Sequence, residues 1–168
     1  MKESKKIYTI WSIFALFVIS MNLRASITSV SPVLKNIQID LQMSSIVVSL
    51  LTAIPVFCMG IFAPVAGKLS NRWGIELTIA LSVLLIGVST ALRFFSNFSF
   101  LLLMTAVLAG IGIAIAGPLI SGFIKEHFPK YSSSMIGVYS AGMGVGASLS
   151  AGLVVPAMYS FHNSWNAA

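Results

Sequence analysis

Apolar residues run along this chain in five long blocks, each divided from the next by a short polar segment. Blocks of this length, almost free of charge, are membrane-crossing helices, because a span in lipid must satisfy every backbone N–H and C=O internally. The pattern predicts helices over about 7–34, 45–66, 75–95, 100–124 and 133–160. The first would be ~42 Å long at 1.5 Å per residue, longer than a ~30 Å hydrocarbon core. It is therefore expected to tilt, or to run into the interface near Pro32, with Tyr8 and Trp11 in an aromatic belt at its other end. Pro55 and Pro64 are expected to bend the second helix, since each removes a backbone donor. The segments 35–44, 67–74 and 125–132 read as polar links, and Ser96-Asn97-Phe98-Ser99 as a tight turn. The fold class is all-α, a polytopic membrane helix bundle.

Small residues recur at fixed steps within these blocks. Ala53, Gly60 and Gly67 stand seven apart; Ala106, Gly110, Ala114, Pro118 and Gly122 stand four apart; so do Ser140, Gly144, Ser148, Gly152 and Pro156, with Gly142, Gly146 and Ser150 on the adjacent ridge. Small residues at helical spacing let two backbones approach closely. Such stripes mark either packing within the bundle or a surface for another membrane element.

Composition agrees with the pattern: 57% of the 168 residues are hydrophobic and 8% are charged. The net charge of +6 does not point to nucleic acid, because the basic residues cluster in short segments between the spans. Lys2, Lys5, Lys6, Lys68, Arg72, Lys125 and Lys130 fall on one side and only Lys35 and Arg93 on the other. By the positive-inside rule the N-terminus is cytoplasmic, in a multi-pass protein of the cell membrane. The basic start followed by an apolar run also resembles a secretory signal, but the run is too long and lacks a small-x-small cleavage site, so an uncleaved first helix is expected. One cysteine, Cys58, excludes an internal disulfide, and His127 and His162 form no metal motif. Neither a metal nor another cofactor is expected.

Arg24 is the residue in this chain that a lipid environment most needs to explain. It sits inside the first span, in Ser20-Met21-Asn22-Leu23-Arg24-Ala25-Ser26-Ile27-Thr28. A charge at such depth costs at least ~2.5–3.5 kcal/mol and by default faces a wet cavity or the bundle interior. Helical spacing puts Ser20, Arg24 and Thr28 on one face, with Ser31 one step round. That is a set of donors suited to a small anion. Two other readings stand beside it: the side chain snorkels to the interface, or it bonds backbone carbonyls of a neighbouring helix. Among candidate solute ligands Arg24 comes first, followed by Asn22, Ser20, Thr28 and Tyr139. Apart from Glu76 at the very start of the third, the spans contain no Asp, Glu or His to act as a base, and no hydrolase or protease motif occurs, so the chain is not expected to be an enzyme.

Gly67-Lys68-Leu69-Ser70-Asn71-Arg72-Trp73-Gly74 resembles the loop 2–3 signature of the major facilitator superfamily. Gly67, Arg72 and Gly74 match it, Asn71 stands where an acid is usual, and Glu76-Leu77 stand where a basic pair is usual. Asn22-Leu23-Arg24-Ala25-Ser26, Thr28-Ser29-Val30-Ser31-Pro32, Ile54-Pro55-Val56-Phe57-Cys58-Met59-Gly60 and Gly117-Pro118-Leu119-Ile120 resemble the cyanate and nitroimidazole permease branch of that superfamily. The resemblance implies two six-helix halves that rock about a central site. The 168 residues would then be part of the N-terminal half of a truncated carrier, with the first and fourth spans lining the cavity and the fifth packing on a missing C-terminal half. It also implies a small anionic solute such as cyanate, a gating loop of Gly67, Asn71, Arg72 and Gly74, and a lipid bilayer as surroundings. The alternative is a small membrane interaction protein without transport activity, its glycine stripes binding another membrane protein.

Overall fold

The computed structural model describes residues 2–94 and 98–160. Its α-helices are α1 (Lys2–Thr28), α2 (Leu34–Asp40), α3 (Ser45–Trp73), α4 (Ile75–Phe94), α5 (Ser99–His127) and α6 (Ser132–Ser160), with 3-10 turns at Ser31–Val33 and Pro129–Tyr131. Five of the helical segments are long and apolar enough to cross a membrane, and no strand occurs among the described residues. The all-α membrane bundle predicted from the apolar blocks is the observed class. Most of the turn at Ser96-Asn97 and the closing 161–168 stretch lie outside the described residues, as do the side chains of Lys2, Lys5, Lys6 and Tyr8.

Several helix ends lie a few residues from expectation, α1 starting at Lys2 and α5 running to His127, and two of the differences bear on the site. The first helix stops at Thr28 instead of running to Leu34. Pro32 has no N–H to give the Thr28 carbonyl, so the ladder cannot continue through it. The chain makes a 3-10 turn, with Val33 N–H on the Val30 carbonyl at 3.1 Å, and resumes as α2. Residues read as a link are thus largely helical. α2 is too short to span a membrane; it buries Ile37 beside Val33, Val48, Leu51 and Leu102. It ends where Met43 N–H turns back to the Gln38 carbonyl at 3.0 Å, with Gln42 in the left-handed region (φ 49°).

The second difference lies at 67–73, expected as a link and found as the last two turns of α3. Polar side chains at Lys68, Ser70, Asn71 and Arg72 do not interrupt a ladder that is internal to the helix. α3 starts on Ser44, whose Oγ accepts the Val47 N–H at 3.4 Å, and runs through both prolines. Gly74 ends it with φ 86° and ψ 154°, a conformation essentially restricted to glycine, while its N–H bonds the Ser70 carbonyl at 2.8 Å. No atom crowds the site of a Cβ there, so the constraint is the backbone alone. Gly74→Ala is expected to destabilise the chain by about 1–3 kcal/mol, read by denaturant titration in detergent; an unchanged midpoint would mean that this junction relaxes freely.

Three close pairings build the bundle: α3 along α5, α1 along α6, and α4 along α5. Glycines set two faces of α5. A Cβ on Gly110 would lie 2.8 Å from Pro55 Cα and 3.0 Å from Cys58 Cβ; one on Gly112 would lie 2.7 Å from Ile86 Cγ1 and 2.9 Å from the Ser82 carbonyl oxygen. Those positions hold α3 and α4 against the same helix. On α6, Gly142 and Gly146 do the same for α1. A core of Leu16, Leu23, Ile86, Ile113, Ile120 and Ile124 fills the space between α1, α4 and α5.

The small-residue stripes divide sharply. Ala106, Gly110 and Ala114 are buried, whereas Pro118 and Gly122 are exposed. Ala53, Gly60 and Gly67 are all exposed; α3 packs instead through Val48, Leu51, Pro55, Cys58 and Ala66. On α6, Gly142 and Gly146 are buried, while Ser140, Gly144, Ser148, Gly152 and Pro156 are exposed. One face each of α3 and α6 is therefore left without a neighbour among the described residues.

Candidate functional site

Arg24 lies on α1 four residues before the helix ends, and its side chain is exposed. No hydrogen bond or ion pair among the described residues engages its guanidinium. Bonding to carbonyls of a neighbouring helix, one of the readings open from sequence, is not what this arginine does here.

The stripe of donors expected around it is taken apart by packing. Ser20 is fully buried between α1 and α6; its hydroxyl donates to the Phe17 carbonyl at 2.8 Å and faces Gly142, where any Cβ would strike it. It belongs to the helix contact and is not available to a solute. Thr28 donates its hydroxyl to the carbonyl of Arg24 itself at 3.0 Å, a local back-bond that leaves only its oxygen lone pairs free. Ser31 is exposed in the 3-10 turn beyond the helix end. Tyr139 is half-buried on α6 and packs into the cluster with Leu119 and Met135; its hydroxyl lies 3.9 Å from where a Cβ on Gly117 would be.

Asn22 is exposed and lines a cleft of about 750 Å³ between α1, α4 and α6. Ser26, Ser29, Thr90 and Ser150 share its walls. Their hydroxyls make this cleft more polar than the neighbouring one of about 740 Å³, which is lined mostly by apolar side chains such as Leu16, Ile79, Val83 and Ile120, with Ser12 and Glu76 its polar residues. An apolar groove of that kind suits a lipid chain or an apolar helix, whereas the Asn22 cleft offers hydrogen-bonding partners.

Arg93, a charge on the side away from the basic links by its place in the sequence, has a partner that the sequence does not indicate. In the fold it is half-buried in the last turn of α4, and Nη1 donates to the Ser26 carbonyl of α1 at 3.3 Å. From α6, Ser150 donates its hydroxyl to the adjacent Ala25 carbonyl at 3.2 Å. The Arg93 Nε is buried without a partner among the described residues. The only hint in the sequence was an arginine at the end of a span close to a second helix end, a pattern that topology alone explains equally well.

Gly67, Asn71 and Arg72, expected as a gating loop, are exposed positions on the helical end of α3, and Gly74 is the junction to α4. The described residues hold no group of three metal-ligating side chains.

A family model described as Major Facilitator Superfamily matches residues 12–168. The chain is 36% identical over 168 residues to an uncharacterized transporter of Bacillus subtilis (strain 168), which covers 99% of this chain and 41% of the relative. It is 32% identical over 144 residues to the 2-nitroimidazole transporter of Escherichia coli (strain K12), covering 86% of this chain and 36% of the relative. It is 35% identical over 146 residues to the cyanate transport protein of the same strain, covering 84% and 38%. The chain thus spans between 36% and 41% of the length of these curated relatives. All three are named for transport and not for catalysis, in line with the expectation that this chain is not an enzyme.

Proposed function

This chain belongs to the major facilitator superfamily, and on that premise we propose that it is the N-terminal part of a permease for a small polar solute, anionic in class, whose recognition centres on Arg24. It is a multi-pass membrane protein, with five apolar helices among the described residues. The observation that carries the proposal is an exposed guanidinium inside a membrane span that no described residue neutralises. Such a charge is stabilised when an anion or water meets it, and the hydrocarbon of the bilayer supplies neither. Relatives named for cyanate and for 2-nitroimidazole transport support a compact solute with a delocalised or polar head.

Transport needs a second wall for the site. In the proposed carrier the open faces of α3 and α6, with Gly60 and Gly144 on them, meet a C-terminal half, and the halves rock about the solute. Gly67, Asn71, Arg72 and Gly74 form the gate at the α3–α4 junction, and Asn22, Thr28 and Tyr139 are secondary ligands. Ser20 is not among them, since it is sealed under Gly142. The basic asymmetry supports a cytoplasmic N-terminus in the cell membrane; a reporter active only in the cytoplasm should report strongly when inserted after Lys130, and silence there would reverse the orientation.

The direct test is uptake of labelled cyanate and 2-nitroimidazole into cells that make this chain alone, or together with the C-terminal portion of the Bacillus subtilis relative. We expect no uptake from the chain alone and measurable uptake of one of the two solutes from the pair. Uptake of neither by the pair would count against this substrate class. The exposed Gly144 face also favours a second reading, a membrane interaction protein. Stable copurification with a different membrane protein, with no flux in any combination, would support that reading.

A further inference from the structure

We propose that Arg93 is the positioning residue of the Arg24 site: it caps the end of α1 from the neighbouring helix α4, and so fixes the turn that carries Asn22 and Arg24. The inference rests on the reading of Arg24 as the recognition group.

An α-helix leaves the carbonyls of its last four residues without intrahelical amides. In α1 these are the carbonyls of residues 25–28. Ser29 N–H still reaches the Ala25 carbonyl at 3.0 Å, but the chain then turns, and Pro32 has no N–H to offer Thr28. Within a membrane, water is scarce at such carbonyls, so protein groups must meet them. Arg93 meets Ser26 and Ser150 meets Ala25. Two hydroxyls of α1 itself reinforce the turn above, Ser26 on the Asn22 carbonyl at 3.0 Å and Thr28 on the Arg24 carbonyl at 3.0 Å. The carbonyls of residues 22, 24, 25 and 26 therefore each accept a side-chain hydrogen bond, and the two from other helices fix where this turn sits in the bundle.

Arg93 is the stronger of the two external ties. Its charge favours the carbonyl end of the α1 dipole, and charge-assisted hydrogen bonds exceed neutral ones. α1 packs along α6 over its length but touches α4 far less, so the arginine bond holds a contact that side-chain packing leaves weak. Its Nε has no described acceptor, and the acceptor that directs the guanidinium among the described residues is the Ser26 carbonyl. Arg24 sits two residues before Ser26, so a rotation of the last turn swings its side chain as well.

The test uses the chain together with the C-terminal portion of the Bacillus subtilis relative in lipid nanodiscs, with Arg93→Gln, Arg93→Lys and Ser150→Ala compared with the parent. Hydrogen exchange at amides 24–30 and binding of sodium cyanate are both measured. Arg93→Gln should speed exchange at those amides by about tenfold and leave the α3–α5 contact around Gly110 unchanged. Arg93→Lys retains a cation and should restore most of the protection, while Ser150→Ala should give a smaller local loss. Cyanate binding by the parent should weaken by about tenfold in Arg93→Gln and recover in Arg93→Lys. Unchanged exchange at 24–30, or equal loosening throughout the bundle, would overturn the positioning role. If Arg93→Gln does not accumulate, full protection in Arg93→Lys together with a local loss in Ser150→Ala supports the cap, and no local loss in either overturns it. If Arg24→Ala binds cyanate like the parent, or the parent binds none, the Arg24 reading fails; exchange then decides the cap by itself.

Discussion

Arg24→Ala, in a carrier completed by a C-terminal half, is expected to bind an anionic solute ten- to a hundredfold more weakly than the parent while reaching the membrane in normal amount. Hydrogen bonds to charged groups contribute about 1.5–3 kcal/mol each, and every 1.4 kcal/mol is about a factor of ten in binding. Folding should not suffer, because the guanidinium has no described partner to lose and its removal eases insertion. Arg24→Lys keeps the charge without the planar fork and should fall between the two. The measurement is solute binding by calorimetry, alongside membrane abundance by immunoblot. Parent-like binding by both variants would move the site elsewhere; loss of both proteins from the membrane would make Arg24 a folding element.

A second large effect is expected at Gly146. A Cβ at that position would lie 2.7 Å from Met21 Cα and 2.8 Å from the Met21 carbonyl carbon, with the Met21 oxygen closer still. These are backbone atoms, so no rotamer change relieves the clash, and α1 must move as a unit. Gly146→Ala should destabilise by about 1–3 kcal/mol, and Gly146→Val should prevent the α1–α6 pairing outright. Gly144, two positions away, has nothing within 4 Å. Gly144→Ala should change stability by no more than about 0.5 kcal/mol. Denaturant titration of the three variants, followed by tryptophan fluorescence, separates the two ridges. Equal losses at both glycines would mean that the exposed ridge is also packed. Gly144→Leu adds the functional arm: stable by itself, it should fail to support uptake when a C-terminal half is present.

The site was legible only in part, and the reason differs from residue to residue. Arg24 stood out because a charge in an apolar block is costly wherever it points. Ser20 looked equivalent to Thr28 on a helical wheel, yet one is sealed under Gly142 and the other back-bonds its own helix. Spacing assigns a face; it does not say which neighbour covers it. Arg93 was invisible as a tie to α1, since the bond joins residues 67 positions apart.

What the sequence determined was the class of the molecule: five apolar blocks, the breaks between them, and the charge asymmetry that orders them. Those properties follow from local composition, because each span must satisfy its own backbone and each link must carry its own polar groups. Local chemistry also settled the stop at Thr28, once the missing amide of Pro32 is counted, and the glycine at position 74. The choice between the two small-residue ridges of α6 belonged to the tertiary structure. In lipid both faces of a helix are apolar, so hydropathy carries no contrast between inside and outside. Gly142 and Gly146 repeat at the same step of four as Gly144 and Ser148. Only the approach of the α1 backbone, close enough to exclude a Cβ on one ridge and distant from the other, decides which ridge holds the bundle together and which stays open.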